Sequence, residues 1–106
     1  MTTIRIIFLS MLMLSMGCKS LETATFTARG CCPTCEMLIL DVVDIESVKA
    51  ASWSQFDEQL SLKFFAKLTS ETDLQKKVAQ AGYDTDLFMA PDSIYLAMPK
   101  CCQYRD

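Results

Sequence analysis

A strand-like run ends and a helix-like run begins at the most cysteine-rich point of the chain. Residues 23–29 alternate apolar and polar side chains, the pattern of a half-buried strand. Pro33 then stands where a helix can begin, because a first helical position needs no backbone N–H. Between them lies the run Gly30-Cys31-Cys32-Pro33-Thr34-Cys35. We therefore expect Cys32 to lie in a loop and Cys35 in the first turn of a helix.

The remaining patterns predict the order of the secondary-structure elements. A first helix is predicted over 33–43, followed by strands over 48–53 and 60–65. A second helix then begins at Ser70 and Asp73, which have the spacing of a capping box, and ends at Gly82. A short fourth strand is predicted over 84–89. This order predicts an α+β fold of the ferredoxin-like βαββαβ type, with one antiparallel four-stranded sheet and two helices on one face. Residues 90–106 form a C-terminal extension, in which Pro91 can start a short helix.

The first 17 residues have the pattern of an export signal. Arg5 is their only charge, and the apolar run 6–16 is too short to span a bilayer. The run ends at Ser15-Met16-Gly17-Cys18, which resembles a bacterial lipoprotein box with Ser15 in place of the usual branched apolar residue. We expect 1–17 to be removed, Cys18 to be lipidated, and 18–22 to be a linker. The protein would then be exported to the bacterial periplasm or outer surface and anchored to a membrane by lipid. The alternative is an ordinary signal peptide.

Composition limits the chemistry that the chain can support. The formal net charge is −3, and no basic cluster indicates a nucleic-acid partner. The chain has six cysteines and seven methionines but no histidine, so a metal site would use sulfur or oxygen ligands. A Cys-x-x-Cys pair at a helix start can bind a soft metal ion or cycle between dithiol and disulfide. A purely structural disulfide is the third alternative.

Several segments together resemble the heavy-metal-associated (HMA) domain family. They are Gly30-Cys31-Cys32-Pro33-Thr34-Cys35 with Ile39, Val48-Lys49-Ala50-Ala51-Ser52-Trp53, Leu60-Ser61-Leu62-Lys63-Phe64 and Ala81-Gly82-Tyr83-Asp84-Thr85. The family includes copper chaperones, modules of copper-transporting P-type ATPases and the periplasmic mercury-binding protein. The resemblance covers about residues 23–89. Two positions depart from the family pattern: Gly30 replaces a usual Met, and Cys31 replaces a frequent Thr.

The resemblance implies a function in binding and transferring a metal ion. Cys32 and Cys35 would be the metal ligands, and Cys31 would place a third thiol beside them. The ion would be Cu(I), with Hg(II), Zn(II) or another thiophilic ion as alternatives, and would pass to a partner by ligand exchange. The partner would be a metal-transporting ATPase or another metal-trafficking protein, and the chain would be a monomer without enzymatic activity. The region around Tyr83 would lie near the metal loop.

The C-terminal extension carries a second cysteine pair, Cys101-Cys102. Our hypothesis is that the tail folds back and places one or both of these thiols near Cys31, Cys32 and Cys35. The result would be a site richer in sulfur, or a disulfide that masks it. The alternative is a frayed tail.

Two other functions stay open at this point. The Cys-x-x-Cys pair could serve a thiol-disulfide oxidoreductase, although the element order does not suit a thioredoxin-like fold. The chain could also be a non-catalytic lipoprotein with bridged cysteines. We further expect Asp84 and Asp86 to form a solvated strand end and Met89 and Met98 to pack against the body. Part of the first helix should show apolar side chains to solvent or to a partner.

Overall fold

The computed structural model describes residues 20–105. The predicted export signal and the predicted lipidation site Cys18 lie outside this range. Within residues 20–105, none of the helices has the length and apolar character needed to cross a membrane.

Three antiparallel strands form one sheet. The strands are β1 (Leu21–Thr27), β2 (Val48–Ser54) and β3 (Gln59–Phe65), and their spatial order is β1-β3-β2. The alternation predicted for β1 is confirmed, because Ala24, Phe26 and the following Ala28 are buried. They join Leu60, Leu62 and Phe64 from β3 in the core. Trp53 contributes the main aromatic side chain of β2 to the same core.

Helix α1 (Pro33–Val42) begins where the sequence predicted, with Cys32 as its N-cap residue and Pro33 directly after it. Cys35 and Ile39 are its buried residues, and Val43, at its end, is also buried. Met37 is exposed, as the broken periodicity of this helix predicted.

Helix α2 (Glu71–Gln80) has the predicted N-cap. The Ser70 hydroxyl accepts a hydrogen bond from the Asp73 N–H at 3.2 Å, which satisfies one of the free N–H groups of the first turn. Leu74 and Val78 bury the inner face of the helix. Gly82 follows the helix with φ of +119°, a conformation that residues with a Cβ rarely adopt.

The fourth strand is the part of the predicted sheet that the structure does not contain among residues 20–105. Residues 84–89 contribute a single antiparallel bridge, between Thr85 and Ala28. The reason is local: the Thr85 N–H donates to the Phe88 carbonyl at 2.8 Å, so the chain turns back on itself. The Asp86 carboxylate instead accepts the N–H of Thr27 at 2.9 Å, which satisfies an edge group of β1 without a strand.

The expectation that Asp84 is solvated is wrong. Asp84 is buried, and its Oδ1 accepts hydrogen bonds from the Ala90 N–H at 2.7 Å and from Arg105 Nη2 at 2.6 Å. Arg105 Nε donates to the other carboxylate oxygen at 3.1 Å. The two partners are 21 residues apart in the sequence, so patterns among neighbouring residues could not predict this ion pair.

The C-terminal tail, residues 90–105, packs onto the body through this ion pair and through aromatic rings. It contains helix α3 (Asp92–Leu96) and a 3-10 helix (Lys100–Cys102). The Tyr104 hydroxyl donates to the Gly82 carbonyl at 2.8 Å and accepts the Asp84 N–H at 2.6 Å. Met98 packs over Gly82, where an added Cβ would lie 1.9 Å from the Met98 sulfur. Met89, by contrast, is exposed, so the expectation that it packs is wrong.

Candidate metal centre

The loop between β1 and α1 places three thiols at one helix N-terminus. The Cys32 carbonyl accepts the Cys35 N–H at 2.9 Å, which closes the first turn of α1. Cys32 is half-buried, Cys35 is fully buried and Cys31 is exposed. The sulfur atoms of Cys32 and Cys35 lie 3.4 Å apart, and the Cys31 N–H donates to the Cys35 sulfur at 3.4 Å. The three sulfurs lie within 4.8 Å of one another.

The tail brings two more thiols to the same place. The sulfur of Cys102 lies 3.7 Å from that of Cys32, and the sulfurs of Cys101 and Cys102 lie 4.0 Å apart. The Cys31 thiol donates to the Cys101 carbonyl at 2.6 Å. Cys32, Cys101 and Cys102 form a second group whose sulfurs all lie within 4.8 Å of one another. The hypothesis that the tail folds back onto the Cys-x-x-Cys loop therefore agrees with the structure, and all five described cysteines are free.

A buried hydroxyl borders the cluster. Tyr83 is 1% exposed, and its hydroxyl has no hydrogen-bond partner among the described residues. The pKa of Tyr83 is raised, first by burial and then by the adjacent Cys102 thiol, with smaller effects of Cys35 and Cys32. The sequence placed Tyr83 near the metal loop only through the family resemblance, and nothing local to it pointed to Cys102.

Gly30 is required by close packing under the loop. A Cβ on Gly30 would lie 2.9 Å from the Cys35 Cβ and 2.9 Å from the Trp53 ring. The Trp53 ring is itself held by a hydrogen bond from its Nε1 to the Ala28 carbonyl at 2.9 Å. The Gly30 N–H donates to the Glu58 carboxylate at 3.1 Å. The indole therefore occupies the space that a side chain at position 30 would need.

The thiols of the cluster have different pKa values because their surroundings differ. Burial alone would raise the pKa of Cys32, but the Cys35 backbone N–H and the thiols of Cys101, Cys35 and Cys102 lower it to about 6. Burial and then the neighbouring Cys35 raise the pKa of Cys31 to about 11. The pKa of Cys102 is also raised, first by burial and next by the Cys35 thiol. Cys32 is thus the thiol that ionises most readily of these three, as expected for a soft-metal ligand.

The sulfur distances fit a thiophilic ion. Two sulfurs that bind one ion at about 2.3 Å, the Zn–S distance in proteins, lie at most about 4.6 Å apart and about 4.0 Å apart in a trigonal site. The separations of 3.4 Å and 3.7 Å around Cys32 lie below this limit. With sulfur as the donor, the arrangement suits soft ions better than Mg²⁺ or Ca²⁺.

Solved structures share this architecture. The N-terminal domain of a potential copper-translocating P-type ATPase from Bacillus subtilis, in the Cu(I)-loaded state, is 30% identical in sequence with a TM-score of 0.58. The match covers 70% of this chain and 95% of that domain. The chain belongs to the heavy-metal-associated domain family. The ferredoxin-like class predicted from the sequence is thereby confirmed, with three strands in place of four among the described residues.

Two further solved structures are similar to this chain. Oxidized MerP from Ralstonia metallidurans CH34 is 25% identical with a TM-score of 0.59, and the match covers 63% of this chain and 96% of MerP. The CopZ metallochaperone is 17% identical with a TM-score of 0.55. This match covers 60% of this chain and 98% of CopZ, and at this identity it shows the fold alone. No protein-family model matches the sequence, and no curated protein matches it either.

The HMA matches leave a substantial part of this chain uncovered, although they include nearly all of the compared domains. This HMA domain therefore carries additional sequence. In this chain, the tail with Cys101 and Cys102 packs against the Cys-x-x-Cys loop.

Proposed function

We propose that this HMA protein binds Cu(I) through the thiolates of Cys32 and Cys35 and passes it to a partner by ligand exchange. The observation that carries the proposal is the 3.4 Å separation of the two sulfurs at the N-terminus of α1. The positive end of the helix favours a thiolate at this place. Cys35 is buried whereas Cys32 is accessible, so one ligand is anchored and the other can be exchanged.

Ligand exchange follows from this difference in exposure. A thiolate of a partner reaches the ion on the side of Cys32 and adds as a further sulfur ligand. The Cys32–metal bond then breaks, a second thiolate of the partner binds the ion, and the Cys35–metal bond breaks last, so no free ion is released. The chain's residues bind and orient the ion, and the process needs neither a general base nor an activated water.

Sulfur donors select a soft ion but do not distinguish soft ions from one another. We assign Cu(I) because the Bacillus subtilis domain that is 30% identical was solved in its Cu(I)-loaded state. Hg(II) and Zn(II) are the alternatives, and competition among these ions decides between them.

The setting of the protein is part of the proposal. The export signal at 1–17 and lipidation at Cys18 would place a monomeric domain at the membrane surface of the bacterial periplasm or cell exterior. Its partner there would be a metal-transporting ATPase or another metal-trafficking protein, as the identity of the Bacillus subtilis neighbour suggests.

Copper transfer from a chelator tests the proposal. The reduced full-length chain is mixed anaerobically with Cu(I) held by a coloured chelator, and the loss of colour gives the affinity. We expect the wild type to remove Cu(I) from the chelator and the variant Cys32→Ser/Cys35→Ser to lose this high-affinity binding. The variant Cys18→Ser, which removes a cysteine that the proposal does not assign to the metal site, is the control and keeps this binding. Equal binding by the double variant would refute the proposal.

Thiol-disulfide exchange is the second candidate function. The specific observation in its favour is the low pKa of Cys32, about 6 with burial opposing the shift, next to the sulfur of Cys35. Reduction of insulin by the metal-free chain, lost in Cys32→Ser, would support this function. Copper binding without insulin reduction would exclude it.

A further inference from the structure

Cys32 belongs to two groups of sulfur atoms. On one side it faces Cys35 at 3.4 Å, which is the pair of the proposed function. On the other side it faces the tail, with Cys102 at 3.7 Å and Cys101 within 4.8 Å. Thiolates can donate to two ions at once, so a sulfur in this position can bridge them.

We propose that Cys32, Cys101 and Cys102 form a second soft-metal site, so that the chain holds two thiophilic ions bridged by the Cys32 thiolate. The inference rests on the proposed function, because Cys32 and Cys35 hold the first ion. The ligand class is a soft cation, and Cu(I) is the probe. The four thiols lose their protons to solvent as the metal–sulfur bonds form, and no electron is transferred. Two Cu(I) ions and four thiolates carry a net charge of −2.

The separation of the tail sulfurs suits one ion. The 4.0 Å between Cys101 and Cys102 matches the roughly 4.0 Å expected for two sulfurs in a trigonal site with bonds of about 2.3 Å. Cys102 is completely buried, so an ion bound to it is shielded from water on one side, while the exposed Cys101 lies on the solvent side. Adjacent cysteines are poorly placed to form a disulfide with each other but can both face one ion.

The Tyr83 hydroxyl is an independent observation that favours a charged sulfur at Cys102. This hydroxyl lies near enough to the Cys102 thiol for that thiol to raise the pKa of Tyr83, but no described residue stands at full hydrogen-bond geometry to it. A buried donor without an acceptor destabilises the folded chain. A metal-bound thiolate accepts hydrogen bonds far better than a thiol, so binding of the second ion gives Tyr83 the acceptor that it lacks.

The tail is held in place by contacts that do not need the metal. Tyr104 bonds to Gly82 and Asp84, and Arg105 pairs with Asp84. The Cys31 thiol donates to the Cys101 carbonyl and so ties the tail to the loop. The second site is therefore preorganised, and binding does not have to order a free tail.

Native mass spectrometry of the reduced chain counts the ions. All proteins carry Cys18→Ser, which removes the thiol outside the described residues from the count, and are titrated anaerobically with Cu(I). We expect two ions on this background and one ion on Cys101→Ser/Cys102→Ser. The matched control Lys100→Ala changes an exposed residue next to the tail pair, removes no sulfur and retains two ions. X-ray absorption of the two-ion form should show copper–copper scattering, as a shared thiolate requires.

Tyr83→Phe provides a test that removes no sulfur. The ring stays in the core, but the hydroxyl is lost. We expect the affinity for the second ion to fall about 10- to 100-fold with the first unchanged, because a hydrogen bond to a charged sulfur is lost. Thermal unfolding of each metal-free variant checks that it folds.

The outcomes separate the two proposals. One ion on the background protein, or two ions kept by Cys101→Ser/Cys102→Ser, overturns the second site and leaves the proposed function standing. No ion on the background protein overturns both.

Discussion

The tail depends on one arginine that contacts two carboxylates of very different exposure, and this contrast gives a quantitative prediction. Arg105 donates to Asp84, whose side chain is 10% exposed, and to Asp92, whose side chain is 89% exposed. Removing one partner of a buried ion pair costs about 3–5 kcal/mol, whereas exposed pairs contribute about 0–1 kcal/mol. Because Arg105 is itself 20% exposed, solvent screens the pair with Asp84 in part. We therefore expect Asp84→Asn to lower the free energy of unfolding by about 2–3 kcal/mol.

The matched control is Asp92→Asn, which removes the exposed charge at the same arginine. We expect this variant to cost less than about 1 kcal/mol. Urea denaturation of the metal-free, reduced chain measures both values. Arg105→Ala and its combination with Asp84→Asn complete a double-mutant cycle, which isolates the coupling between the two side chains.

The same cycle has a readout at the metal centre. If the ion pair holds the tail down, its loss should increase the rate at which an alkylating reagent labels Cys102, which is fully buried in the folded chain. Equal costs of Asp84→Asn and Asp92→Asn, or unchanged labelling of Cys102 in Arg105→Ala, would refute this explanation of tail docking.

Three further predictions follow from the described contacts. Burial alone would raise the pKa of Asp84, but the hydrogen bonds from Arg105 lower it below the ordinary carboxyl value of about 3.9. The stability that this pair contributes is therefore complete above that value and is lost as the pH falls through the lower pKa of the folded chain. In Asp84→Asn, the free energy of unfolding should accordingly change less with pH in the acid range. Gly30→Ala should lower the free energy of unfolding by about 1–3 kcal/mol and weaken Cu(I) binding, because the added Cβ would lie 2.9 Å from Cys35 and from Trp53. An unchanged midpoint of urea unfolding would contradict this account of the packing. Ser70→Ala should cost about 1 kcal/mol through loss of the α2 cap without affecting copper binding, and a change in copper affinity would show that α2 is coupled to the site.

The features that local chemistry controls could be read from the sequence. Pro33 and Ser70 start their helices, and the alternation in β1 and β3 identifies the buried face, because each signal acts within a few residues. The Cys-x-x-Cys spacing likewise brings Cys32 and Cys35 together, since a loop residue and a first-turn residue of the same helix are neighbours in any fold.

Tertiary structure decided the rest. The sequence predicts a strand over 84–89, but the side chain of Asp86 and the turn at Thr85 satisfy groups that a strand would have bonded. Arg105 pairs with Asp84 although the two are 21 residues apart in the sequence. Tyr83 lies near Cys102 because the tail packs onto the body. Contacts between residues so far apart depend on how whole elements pack. The sequence could therefore suggest that the tail thiols join the loop, but only the packed chain shows that Cys102 lies inside the core beside Cys32 while Cys101 stays at the surface.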